Sequence, residues 1–565
     1  MEHHLTLFLY LVLFAHSIIG YGFMLSNIVN KKMLSINIGY IGIVGFFFIS
    51  LISIFTSFFF SHDYVHNIIL HSIGLIFFIS TIKNLKKFRE VKYLWLLIVI
   101  LWLGIYVYKN HDDFPYYHLT YALNLSENSF TVGTGNFSHG FRTFSSLFFF
   151  HSVLFMPYID FYLFHSGPFF ILLFFNFIIV GELFKNLKKK KFSFVYFFSL
   201  LSFIFVNIAF YRLAEHGTDR SAQIILILIF ILFLDIIYFH QKNEELLLKI
   251  HLLLIFVFLA SSMKMIYYLY FLLIPIIFFK KKLFFKFLDK KNFLVIIFVS
   301  SSLFLNLSIS YLNTGCFLYP AEKTCIGEQD WSINKNEVRR MSLHYEWWAK
   351  AGGGPGYSSE IKQEEYVKNF LWVKNWIDRH FFNKVSDTLL GIIFISLIVL
   401  LLFRYNSSSI SKKKTKLDFL GFLIPLIFLI EWFINHPSMR YGGYVLFAIP
   451  IFLFTSMFIE KYNLIKKKIS FLTIFLIILA LTLYNVRNIS RIVKETKIYD
   501  YKLFENPYFF IDKVETYETT KKDGYKIYST KGGKMCWASQ TPCSYNPNLS
   551  VKKFLWMNMV YRNDK

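Results

Sequence analysis

The chain has 565 residues, 55% of them hydrophobic and 21% aromatic, and a formal charge of +25. That leaves too little polar surface to coat a soluble globule of this length, and apolar runs close to the ~20 residues that cross a hydrocarbon core recur throughout. The basic excess sits in short loops between those runs, as topogenic signals do. No DNA- or RNA-binding motif accompanies it, so nucleic acid is excluded as a partner.

The first twenty residues lack a basic n-region and read as an uncleaved first span. Apolar periodicity and length predict fourteen spans in chain order: 5–24, 36–60, 65–82, 93–108, 168–183, 192–210, 222–239, 249–263, 265–279, 293–311, 388–403, 417–433, 444–459 and 469–484. Alternate loops divide sharply by charge. Those near 29–35, 83–92, 185–191, 240–249, 280–291, 404–417 and 461–468 hold 29 Lys and Arg, and the short loops on the other side hold four. The first set is assigned to the cytoplasm, which places both termini outside a bacterial inner membrane. This parity requires 145–165 not to cross. Ser145, Ser146, His151, Pro157, Asp160 and His165 make it too polar for a lipid-exposed span, so it is read as interfacial or re-entrant.

The expected fold is an all-α polytopic membrane protein of about fourteen transmembrane helices, with a small extracytoplasmic C-terminal α/β domain. Its parts are N-terminal transmembrane helices (1–108), a first extracytoplasmic loop (109–167), a transmembrane core (168–312), a large extracytoplasmic loop (313–387), C-terminal transmembrane helices (388–484) and an extracytoplasmic C-terminal domain (485–565). Within the large loop, GGGPG at 352–356 reads as a hinge. An amphipathic helix is expected to follow, with Tyr366, Phe370, Val373 and Ile377 on one face and Trp372 and Trp376 nearby, lying on the outer leaflet; the alternative is the core face of a soluble subdomain. In the last segment GYKIYST, at 524–530, reads as a strand. All four cysteines, Cys316, Cys325, Cys536 and Cys543, fall in outward segments, where disulfides persist. Their short spacings predict the pairs Cys316–Cys325 and Cys536–Cys543. Without CxxC spacing, a four-thiolate zinc site is the weaker alternative.

Five outward clusters carry candidate chemistry. His111, Asp112, Asp113, Tyr116 and His118 open the first loop, and an interfacial carboxylate there suits a general base; a helix-terminal charge pair is the plain alternative. Downstream, Gly133 and Gly135 permit tight backbone and Arg142 suits a phosphate. The short loop 211–220 packs Arg212, Glu215, His216, Asp219 and Arg220, which either bind an anionic headgroup or cap helices. Glu215, His216 and Asp219 are also metal-ligand types, so a divalent metal is possible but not indicated. Lys264 stands alone at a tight outward turn. Arg440 and Tyr441 precede a late span, where a planar guanidinium beside helix N-terminal amides suits a phosphate.

On Asp112, Asp113 and Tyr116, on the turn Ser262, Met263 and Lys264, and on Arg440, Tyr441 and Pro450, the chain resembles the GT-C superfamily of membrane glycosyltransferases. The likeness is to its protein-mannosyltransferase-like and aminoarabinose-transferase-like branches. It departs in placing the acidic motif after a fourth span, which leaves the first three as an addition. The resemblance implies a GT-C-like fold and transfer of a sugar from a polyprenyl-phosphate donor to an extracytoplasmic glycan, lipid or protein. Asp112 or Asp113 would act as base, Lys264 and Arg440 would hold the phosphate, and no cofactor beyond the lipid-linked donor is implied; Arg142, read from its own loop, is a further candidate for that phosphate. A lipid-linked glycan flippase and an O-antigen polymerase or ligase are the alternatives. The flippase suffers because Glu182 and Asp235 lie near cytoplasmic span ends and the mid-membrane stretches are nearly bare.

Overall fold

The computed structural model describes residues 2–85, 87–239, 243–282, 292–351, 361–405, 407–410, 419–464, 466–522 and 524–563. The GGGPG stretch lies outside them. Among the described residues, ten helices are long and apolar enough to cross a membrane: Glu2–Val29, Ile38–Ser57, Tyr64–Leu85, Gly167–Lys189, Gly217–Tyr238, Asn243–Met263, Phe293–Thr314, Trp372–Tyr405, Gly443–Glu460 and Lys467–Tyr499. Phe194–Ala209 and Leu420–Asn435 are shorter apolar helices. The chain is thus a largely helical protein with the makings of a multi-pass membrane protein.

Two expected spans take other shapes. Residues 93–108 form the helix Phe88–Leu101, which ends in a tight turn at Trp102–Gly104. There Tyr484 donates to the Leu101 carbonyl (3.1 Å) and occupies the space a side chain on Gly104 would need. Residues 265–279 begin as the 3₁₀ segment Met265–Leu272 and continue as the helix Leu273–Lys281, whose first turn holds Pro275, where its missing N–H leaves no bond unmade. Because 3₁₀ turns rise ~2.0 Å per residue, this short stretch still extends roughly 30 Å.

The first three helices pack through glycine. Gly20 meets the Gly74 backbone, Gly22 that of Ile41 and Gly45 that of Ile18, each too closely for a Cβ. Such contacts let apolar helices associate where no hydrophobic drive separates helix from lipid. Polar pairs serve the same end deeper in the bundle. The amides of Asn176 and Asn207, both fully buried, donate to each other at 3.0 and 2.8 Å.

The lysine-rich loops gather at one end of the bundle. Lys32 pairs with Glu244 (2.5 Å), Lys249 with Asp235 (2.6 Å), and Lys281 reaches the Phe239 carbonyl (3.4 Å). The three long segments interlock at the other. Val560 donates to Val132 (2.8 Å), Tyr545 to the Phe137 carbonyl (3.1 Å), and Asn136 to the Trp331 carbonyl (3.0 Å). Gly133, at φ 79°, lies against the Val560 carbonyl and Trp331, so the Gly133–Gly135 stretch is a junction between segments. The N-terminal helix joins this end through a contact of His4 with the Leu503 carbonyl (3.0 Å). Within 145–165 the only α-helix is Ser146–Ser152, too short to cross.

The cysteines pair as Cys316–Cys325 and Cys536–Cys543. The C-terminal segment is simpler than the α/β domain expected. Its helical part is the last turns of the helix reaching Tyr499, followed by two antiparallel hairpins, Thr516–Lys522 with Tyr525–Thr530 and Leu549–Phe554 with Met557–Arg562.

The amphipathic helix at 366–377 needs correction. Asn369 and Phe370 adopt left-handed backbone (φ 52° and 57°), which separates Gln363–Tyr366 from Trp372–Trp376 and destroys the phase of the expected face. Phe370 is exposed, whereas Trp372 and Trp376 are buried against Phe433, with Trp376 donating to the Pro437 carbonyl (2.5 Å).

Candidate functional site

At the interlocked end, four residues from distant parts of the chain form one charged chain. Arg440 donates through Nη2 to Asp113 (2.8 Å) and through Nε to Asp219 (2.6 Å). The second oxygen of Asp219 pairs with Lys264. The Lys264 ammonium lies 4.2 Å from the centre of the Tyr441 ring, and the Arg440 guanidinium 5.2 Å from that of Trp348. Aromatic faces suit cations held away from bulk water.

Each member is placed by local backbone chemistry. Asp113 precedes a wide helical turn, Phe114–His118, entered through Pro115, whose missing N–H suits a first turn. Asp219 lies in the first turn of Gly217–Tyr238. One turn on, the buried amide of Gln223 donates to the carbonyls of Met439 (3.3 Å) and Arg440 (3.1 Å). One helix face therefore holds Arg440 by both side chain and backbone. Gly442, at φ 112°, turns the chain from Arg440 into the Gly443–Glu460 helix. Lys264 takes extended backbone (φ −153°) between Asn243–Met263 and the 3₁₀ segment.

A cavity of about 390 Å³ opens beside this chain. Asp113, Asp219 and Arg440 line it with Arg220, Lys384, Trp348 and the imidazoles of His111, His118 and His216, and Gly217 and Thr218 present the start of a helix to it. Those first amides have no intrahelical partners, which favours anions. Burial alone would raise the Asp113 carboxyl, but the Arg440 guanidinium beside it holds it below the usual carboxylate range, so it is ionised at neutral pH. Burial pushes His111 down to about 4 and His118 and His216 well below the usual imidazole value. These rings are neutral, and the fixed positive charge comes from Arg440, Arg220 and Lys384.

The other expected site residues are placed differently. Asp112 lines the cavity rim, but its side chain is 87% exposed and faces Lys109 at 3.5 Å. Glu215 is taken up by Arg212 (2.5 Å) and more distantly by Arg220 (3.9 Å). Arg142 does not reach the cavity. It is buried and bound to Glu337 (2.6 Å) and the Gly135 carbonyl (3.1 Å), which makes it a strut between the segments 109–167 and 313–387 and corrects its reading as a phosphate ligand. Tyr116 is also turned away, toward His139 (2.9 Å). Among the described residues, no group of three or more His, Cys, Asp or Glu side chains has an arrangement able to hold a metal ion.

Sequence reasoning missed Gln223, Trp348, Lys384 and His380, which also lines the cavity and accepts from the Met439 N–H (3.3 Å). Gln223 had a usable signal, standing four residues after Asp219 on the same helix face. The others come from the segment after residue 313, whose fold against the core no local pattern predicts.

No curated protein and no solved structure matches the chain. A family model described as "Domain of unknown function (DUF8201)" matches residues 4–447, which include Asp113, Asp219, Lys264 and Arg440 and stop short of the C-terminal hairpins. That span is well over half of the chain, which therefore belongs to the DUF8201 family.

Proposed function

We propose that this chain is an integral membrane glycosyltransferase of GT-C type, moving a sugar from a polyprenyl-phosphate donor to an extracytoplasmic hydroxyl of a glycan, lipid or protein. The observation that carries the reading is Arg440, held between the carboxylates of Asp113 and Asp219 at the wall of a cavity that Arg220 and Lys384 also line. In the reaction the acceptor oxygen attacks the anomeric carbon and the bond from that carbon to the phosphate oxygen breaks. Asp113 takes the acceptor proton, and the charge left on the lipid phosphate meets Arg440, Arg220 and Lys384. The cavity lies opposite the lysine-rich loops, which supports an outward-facing site in a bacterial inner membrane with both termini outside. Counting Phe88–Leu101, the broken Met265–Lys281 stretch and the two shorter apolar helices as crossings gives fourteen. A second reading, an O-antigen polymerase or ligase with a diphosphate-linked donor, draws on the three cations lining one cavity. Transport is weakened by the pairing of Asp235 with Lys249 at the lysine-rich end.

Purified protein in liposomes, given a synthetic polyprenyl-phosphate sugar and scored for covalent product, tests the proposal. Asp113→Asn is expected to lower transfer by ~10²-fold or more. Asp112→Asn, altering an exposed group, should leave most of it. Unchanged transfer in both variants removes Asp113 as base, and lipid crossing the bilayer without a covalent product favours a flippase.

A further inference from the structure

The last hairpin has an unusual tip. Phe554 pairs with Met557, which leaves Leu555 and Trp556 as a two-residue turn. Such turns need positive φ and select Gly, Asn or Asp. Here Leu555 occupies it at φ 57°, with 71% of its surface exposed, and Trp556 is 58% exposed beside it. The neighbouring hairpin, joined to this one by a bond from Thr520 to the Leu549 carbonyl (2.7 Å), turns instead at Gly524 between lysine-bearing strands, as a turn in water should. Two adjoining hairpins therefore carry opposite tips, one suited to water and one not.

The position of the apolar tip identifies its surroundings. The Trp556 indole donates to the Phe58 carbonyl (2.8 Å), directly after the membrane-length helix Ile38–Ser57, and its ring stacks on Phe59 at 5.6 Å and 9°. Phe55, Phe59 and Phe60 are themselves exposed around it. The apolar surface continues into a groove of about 860 Å³, walled by Tyr21, Met24, Ile52 and Ile69 and rimmed by Asn558 beside the tip. The tip is thus continuous with the surface of helices that would face lipid, at the level of a helix end, where Trp is favoured.

We propose that the Leu555–Trp556 hairpin tip is a membrane anchor, inserted at the outer bilayer interface beside the end of the second helix, and that it pins the C-terminal hairpins over the first three helices. Behind the tip, Lys552 pairs with Asp330 and Lys553 donates to the Asn558 side chain (2.8 Å), so these cations hold the strand to the protein.

The test uses the full chain in nanodiscs of phosphatidylethanolamine and phosphatidylglycerol, with one added cysteine carrying an environment-sensitive fluorophore; the four native cysteines are paired. At Leu555→Cys the emission should shift blue and lose intensity with lipids spin-labelled near the headgroup. Lys522→Cys, near the polar tip, should instead be quenched by aqueous iodide. Lipid quenching at 555 no stronger than at 522 overturns the proposal. Shielding at 555 from both quenchers also overturns it and points to a protein partner on that tip. Leu555→Gly removes the apolar side chain while suiting the backbone. Read with the label at Lys553→Cys, it should lower lipid quenching, while unchanged emission from a label at Met535→Cys on the same segment shows that the fold is kept; undiminished lipid quenching at 553 overturns the proposal.

Discussion

Asp219 is the centre of the charged chain, and replacing it with Asn is the sharpest test of that geometry. Its side chain is 10% exposed and meets both Arg440 and Lys264, so Asp219→Asn leaves two cations facing each other with only Asp113 between them. Removing one partner of a buried ion pair costs about 3–5 kcal/mol. Arg440 is 35% exposed, so screening brings the expected loss nearer ~2–3 kcal/mol. The decisive quantity is coupling. If Asp219 acts mainly on Arg440 and Lys264, Asp219→Asn combined with Lys264→Met should be less destabilising than the two single changes added together, by ~1–3 kcal/mol. Thermal unfolding of the four proteins in identical nanodiscs, at one scan rate because unfolding of such proteins is commonly irreversible, measures it. Additive losses within about 0.5 kcal/mol would refute the chain as a coupled unit.

Three further outcomes follow from other parts of the molecule. Burial holds His151 down to about 3 and His165 down to about 4, against ~6.5 in an unfolded chain, so between about pH 6.5 and 4 the unfolded state binds protons the folded state refuses. Stability should therefore fall as pH drops through that window, by on the order of 3 kcal/mol per histidine at its lower end, and His165→Asn should flatten the slope; a pH-independent melting midpoint contradicts this. Replacing Cys536 and Cys543 together by Ser should cost about 2–3 kcal/mol from the short loop they close, read as a lower midpoint that reductant, acting only on Cys316–Cys325, changes less than it changes the wild type. Gly74→Leu places a side chain against the backbone and hydroxyl of Ser17 and should separate the first and third helices, seen as poor yield and a lowered midpoint; a wild-type midpoint would mean the helices do not pack as described.

Much of the architecture was legible because bilayer and charge constraints act locally. The lysine count predicted which loops share an end, and the structure gathers Lys32, Lys249 and Lys281 together, opposite Asp113, Asp219, Lys264 and Arg440. The cysteine pairs were readable for the same reason, since each lies within one short loop. Arg142 was misread because its partner, Glu337, lies 195 residues away, and no local pattern tells a structural arginine from a ligand-binding one. The Trp372–Trp376 stretch failed differently. Its hydrophobic spacing looked continuous, but two left-handed residues upstream shift the phase, and nothing in Asn369 or Phe370 as residue types announces that.

The two carboxylates on Arg440 are not equivalent, and this bears on which of them would move in the proposed reaction. Asp219 is nearly enclosed and held by a second cation, Lys264, whereas the Asp113 side chain is 33% exposed and sits on a short turn beside the cavity. An entering phosphate competes for Arg440 with whichever acid is less firmly held, and that is Asp113. Displacement would release Asp113 from its strongest cationic neighbour and bring anionic phosphate near it. Both changes raise its proton affinity from the depressed value of the resting site. Asp113 would then become an effective base only once the donor is in place, while Asp219, still tied to Lys264, keeps Arg440 aimed at the phosphate. Arg220 and Lys384 would balance the charge brought by the donor, so the resting network needs no free cation at its centre.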